Sequence, residues 1–117
     1  MISDTLHKRY LQQTLPIRLG GLAADLARIA STAPIPVVPA VTSLLEASRA
    51  FIEWATPDLV SERVNDAARL VEIQRELTRW QVSWHTAQHD PTARAQLAAQ
   101  AQIWSDEILK MSGLLTP

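Results

Sequence analysis

Eight apolar residues, Val60, Val64, Ala67, Leu70, Ile73, Leu77, Trp80 and Trp84, recur three or four apart between residues 56 and 85. A helix turns once every 3.6 residues, so this spacing lines all eight along one stripe. Glu62, Asp66, Arg69, Glu72, Glu76, Arg79 and Ser83 repeat with the same period on the opposite face. The pattern predicts a helix over 56–85, with Thr56 as its cap and Pro57 at the first helical position. Such a helix cannot stand alone in water; other helices must cover its stripe.

The rest of the chain has the means to do so. Its 117 residues fit one domain, 1–117, large enough to bury a core without metal or disulfide support. An apolar fraction of 47% and a charged fraction of 20% are those of an ordinary globular protein, which excludes disorder over most of the length. The net charge of -1 argues against a surface built to attract nucleic acid or anionic lipid. Cysteine is absent, so disulfides, thiolate metal sites and cysteine nucleophiles are excluded. Residues 1–15 lack the apolar run of a secretory signal, and no stretch of about 18 apolar residues could span a membrane. The expectation is a soluble, cytoplasmic protein.

Ser3 and Asp4 are placed to cap a short opening helix carrying Leu6, Tyr10 and Leu11. Pro16 interrupts it, and Thr14 is placed to cap a second helix in which Leu15, Leu19, Leu22, Leu26 and Ile29 form a seam. Gly20 and Gly21 lie inside that helix and each costs it roughly 1 kcal/mol relative to alanine. Close approach by a neighbouring helix or by a tryptophan ring would account for them. Residues 31–39 hold three prolines and read as a crossover, with Ile35, Val37 and Val38 expected inside. A third helix is predicted over about residues 40–55, with Val41, Leu44, Leu45, Ala47, Phe51, Ile52 and Trp54 as a broad apolar face. A break at 85–89 precedes Asp90-Pro91, a cap followed by proline. The last helix presents Ala93, Leu97, Ala101, Trp104, Ile108 and Met111, and Gly113 is placed to end it, with Leu114 packed on Leu109.

The runs LGGLAADLARIAS (19–31), LLEASRAFIEW (44–54) and MSGLL (111–115) resemble a family of small uncharacterised all-helical proteins of cyanobacteria. The resemblance covers most of the chain and implies a compact helical bundle. It implies no activity and carries over no functional residues.

Candidate chemistry is sparse. His85 and His89 are four apart, a spacing that can place two imidazoles on one helical face for a metal. Asp90-Pro91 is better read as a helix start, which puts His89 in a loop, and metal is not expected. Arg79 and His85 fit the loose R-x(4–6)-H pattern of HEPN domains, helical bundles that include ribonucleases. In that family the pair activates a ribose 2′-hydroxyl. On a continuous helix the two side chains would stand about 120° apart, however. Trp80 also replaces the polar residue that often follows the family's arginine. Asp66/Arg69, Glu72/Arg75 and Glu76/Arg79 read as salt bridges along an outer face. No inward Glu-x-x-His set, glycine-flanked serine or phosphate loop with its lysine is present.

Four tryptophans, Trp54, Trp80, Trp84 and Trp104, lie on or beside apolar stripes. Core packing is their first reading. A partner surface is the second, since tryptophan is enriched at binding hot spots, with Trp80, Trp84 and Trp54 the candidates. A small-molecule pocket lined by tryptophan and Phe51 is the third. The expected fold is all-α, a four-helix up-and-down bundle with a short extra N-terminal helix. The expected role is a non-enzymatic protein-interaction or assembly module, self-associating as a homodimer or binding another protein, with no cofactor. The alternative is a HEPN-like RNA-cleaving or RNA-binding domain with Arg79 and His85 as its catalytic pair.

Overall fold

A computed structural model describes residues 3–36 and 38–115. Among them are five helices and no strand: α1 (Asp4–Gln12), α2 (Leu15–Thr32), α3 (Ala40–Leu59), α4 (Val64–Ala87) and α5 (Pro91–Ser112). Three of the expected helix ends follow local chemistry. Ser3 Oγ accepts from the Leu6 N–H at 3.1 Å, and Asp90 Oδ1 accepts from the Thr92 N–H at 2.9 Å. Gly113 adopts φ 74°, the left-handed geometry that stops a helix, directly after α5.

The break predicted at Thr56-Pro57 does not occur there. Helix α3 runs through both residues to Leu59, and α4 starts only at Val64. Pro57 sits in the last turn of α3, where only one internal hydrogen bond is forfeited. Instead of capping, the Thr56 hydroxyl donates back to the Ile52 carbonyl at 2.7 Å. The connection at 60–63 therefore takes Val60 out of the stripe, and both Val60 and Val64 are exposed. At the other end α4 runs to Ala87, into the expected break at 85–89, so His85 is helical while His89 lies in the loop as expected.

The core is one cluster that draws on all five helices, with Tyr10 the contribution of α1. Leu19, Leu22, Leu26 and Ile29 of α2 meet Val41, Leu45, Ile52 and Leu59 of α3. Leu70, Ile73, Leu77 and Trp84 of α4 and Leu97, Trp104 and Ile108 of α5 complete it. The most extensive helix contacts are α2 with α5, α3 with α4 and α2 with α3; α4 and α5 approach each other only sparsely. Long side chains bridge that wider gap. Arg69 donates from Nε and Nη2 to the two oxygens of Glu107, both at 2.7 Å. Arg63 reaches the Met111 carbonyl, and the Trp80 indole N–H donates to Gln100 Oε1 at 2.7 Å.

The crossover is pinned rather than loose. Ala33 is buried, and Arg94, itself buried, donates from Nε to the Pro34 carbonyl and from Nη1 to the Gln88 carbonyl. Ile35, expected inside, is exposed; Val38 is half-buried, and Val37 lies outside the described residues. Leu114 has a neighbour that the sequence did not suggest. Its methyl lies where a Cβ added to Gly20 would approach within 2.7 Å, so a leucine beyond α5, not a helix or an indole ring, occupies the space that Gly20 leaves. Nothing lies within 4 Å of a Cβ at Gly21. No helix of the described residues is long and apolar enough to cross a membrane.

Candidate interaction surface

Helix α1 has nine residues, too few to hold helical structure alone, and its anchorage is aromatic. Residues three apart share a helix face, so His7 and Tyr10 present together, as do Phe51 and Trp54 on α3. The two pairs mesh. His7 stacks on Trp54 with ring centroids 4.3 Å apart, and Tyr10 stacks on Phe51 at 4.6 Å. The Tyr10 hydroxyl donates to the Phe51 carbonyl at 3.2 Å. Burial raises the Tyr10 pKa, while nearby Arg18 acts in the opposite direction.

Arg18 completes this corner. Its guanidinium lies 5.7 Å from the Tyr10 ring centroid, and its Nη2 meets Asp58 Oδ2 at 2.6 Å. The Arg18 side chain is nearly enclosed, with Nε and Nη1 lacking hydrogen-bond partners among the described residues. The ion pair to a half-exposed carboxylate thus ties α2 to the end of α3. Composition gave no hint of a buried arginine here. The matched i, i+3 spacing of His7/Tyr10 and Phe51/Trp54 was a legible signal that the sequence reading missed.

The tryptophans divide. Trp104 and Trp84 belong to the core, as the first reading of the tryptophans has it; Trp84, a candidate for the partner surface under the second, is only 3% exposed. It meets Trp80 edge-on, with centroids 6.2 Å apart, and its indole N–H has no partner among the described residues. Trp80 and Trp54 are half-buried, each with part of its ring in contact with solvent. A hollow of about 290 Å³ beside Trp54 is lined by Glu46, Arg49, Ala50, Glu53 and Gln74; Phe51 is not part of it. A shallower depression of about 510 Å³ overlies the Arg69–Glu107 pair between α4 and α5. That pair shifts both groups. The hydrogen bond from Arg69 holds the Glu107 carboxyl below its ordinary range, and the bond to Glu107 raises the Arg69 pKa.

Arg79 and His85 are not brought together. Both are exposed on the continuous helix α4; Arg79 Nη1 pairs with Glu76 at 2.7 Å, and the His85 ring lies 3.2 Å from the Thr86 hydroxyl. No group of three or more potential metal ligands converges among the described residues. Several large apolar side chains are left at least about half exposed: Leu11, Ile17, Val82, Ile103, Leu114 and Leu115 among them. Leu11 and Ile17 flank the two-residue joint between α1 and α2, and Leu114 rests against Gly20 one turn further along α2.

No family model matches the chain, and no curated protein or solved structure matches it. The reading of function rests on the surface itself. That surface is mixed in charge, several of its arginines pair with carboxylates, and Leu11 and Ile17 are exposed on either side of the α1–α2 joint, while Ile35, Val60, Val64, Val82 and Ile103 are exposed elsewhere.

Proposed function

We propose that this chain is a non-enzymatic assembly module that self-associates through apolar side chains. In this reading α2–α5 form a four-helix up-and-down bundle, α1 is an added docking helix, and the protein acts in the cytoplasm. Its proposed kinship is with the small cyanobacterial helical proteins whose sequence runs it resembles. The observation that carries the functional reading is the exposure of Leu11 and Ile17 beside the α1–α2 joint and of Leu114, which rests against Gly20 in the next turn of α2. Exposed apolar residues gathered in one place favour contact with another surface, whereas scattered ones need no explanation. Trp54 and Trp80, half covered, are the aromatic residues best placed to extend such contacts.

Co-expression of two differently tagged copies tests this. Capture through one tag recovers the other copy, and Ile17→Glu abolishes recovery while far-UV circular dichroism stays that of the parent. Failure to recover the second copy at any expression level overturns self-association. The alternative, RNA cleavage through Arg79 and His85, has no convergent geometry in its favour. If the purified chain cleaves RNA and an Arg79→Ala/His85→Ala variant does not, the assembly reading gives way to it.

A further inference from the structure

We propose that α1 is a strap that opens from α3 as a unit while α2–α5 stay folded, pushed open by the buried Arg18 side chain that its closed position encloses. Opening bares Phe51, Trp54 and the Arg18 guanidinium together. The strap is independent of self-association, since every group it uses belongs to one chain.

Closure rests on few side chains. Only Tyr10 of the nine α1 residues is buried; Leu6 and His7 are half-buried, and Lys8, Arg9, Leu11 and Gln12 are exposed. A helix this short is marginal without tertiary support, so the His7–Trp54 and Tyr10–Phe51 stacks are what keep α1 in place. Pro16 uncouples it from α2, because the proline ring would clash with the carbonyl four residues earlier in a continuous helix. Gln13 and Thr14 are accordingly extended, with ψ of 153° and 156°. Helix α1 can therefore leave without unwinding the first turn of α2. Segments with few buried contacts open at lower free energy than the core they rest on.

Arg18 supplies the push. Its side chain is 7% exposed, and its Nε and Nη1 have no hydrogen-bond partner among the described residues. Enclosing a guanidinium with donors unmet is costly, because water would otherwise satisfy them. The Tyr10 ring beside it offsets little of that cost, since its centroid lies 5.7 Å away, near the outer limit of about 6 Å for cation–π attraction. The Tyr10 hydroxyl is bonded to the Phe51 and Arg18 carbonyls, not to the guanidinium. Lifting Tyr10 away lets water reach Nε and Nη1, while the bond to Asp58, made between α2 and α3, is kept. The closed position satisfies the aromatic stacks and leaves the arginine unmet; the open position does the reverse. Two opposed terms at one corner make α1 an element with two positions.

Native-state hydrogen exchange of the full chain, read by mass spectrometry, tests the strap. Peptides covering α1 should exchange at least about a hundredfold faster than those of the α2 and α5 interiors. Arg18→Met removes the unmet donors and should slow α1 exchange, relative to α5, by at least about tenfold. Asp58→Asn acts the other way: it leaves the guanidinium without its ion partner when α1 is closed, and should speed α1 exchange relative to α5. Asp58 has no hydrogen bond or ion pair to α1 among the described residues, so a helix that merely frays at its end would respond to neither substitution. Protection of α1 equal to that of the α2 interior overturns the strap, as does α1 exchange that Arg18→Met leaves unchanged or hastens. If Arg18→Met does not fold, Asp58→Asn decides alone: faster α1 exchange supports the strap, and unchanged or slower exchange overturns it.

Discussion

Two carboxylates show how local surroundings set opposite responses to pH. Glu107 is held below its ordinary range by Arg69, so it contributes stability above the unfolded value, and that contribution is lost as pH falls through the folded one. Both side chains are about one-third exposed, which limits the pair to roughly 1 kcal/mol or less. Glu107→Gln should therefore lower the melting temperature at pH 7, with the difference from the parent closing in acid below the usual carboxylate range. Asp25 behaves in reverse. Burial raises its pKa against the pull of Arg28, so its contribution worsens as pH rises from the unfolded value through the folded one. Asp25→Asn should raise the melting temperature at pH 7 and leave it unchanged in acid. Ser48 is fully buried, and its hydroxyl has no hydrogen-bond partner among the described residues. An unmet buried hydroxyl is costly, so Ser48→Ala should stabilise by about 1 kcal/mol in urea unfolding. None of these three was legible in sequence, because each depends on what a neighbouring helix places beside it.

Helices were more legible than their ends. Periodicity located all five, since an apolar stripe reports directly on the face that is buried. The boundary at Thr56-Pro57 misled because proline after threonine has the form of a helix start. A proline in the last turn costs little when the following Leu59 is fully buried and holds that turn in the core. The glycine pair in α2 separates two physical cases. A Cβ at Gly21 meets nothing, so Gly21→Ala should stabilise by about 0.5–1 kcal/mol through helix propensity alone. Gly20→Ala should yield less, because the Leu114 methyl must first move aside. Equal gains from both substitutions, measured by thermal unfolding, would mean that Leu114 does not rest on α2. The contrast also places the end of α5 against α2, the neighbour with which α5 packs most extensively.

At the scale of the molecule, an all-helical fold followed from composition and pattern, while the candidate surface did not. Trp84 and Trp80 share one stripe, but only the structure separates the core ring from the half-exposed one. The α1 docking corner escaped notice because its halves lie some forty residues apart in the chain. Covering the exposed halves of Leu11 and Ile17 would contribute about 1 kcal/mol per side chain, so a pair of molecules gains roughly 4 kcal/mol from these residues. A gain of that size partly offsets the translational and rotational cost of association and makes the dimer concentration-dependent. Sedimentation equilibrium of the unmodified chain, from sub-micromolar to hundreds of micromolar, tests the central claim most directly. The account predicts a monomer–dimer equilibrium that shifts to monomer for Ile17→Glu; a single monomer mass over the whole range would contradict it.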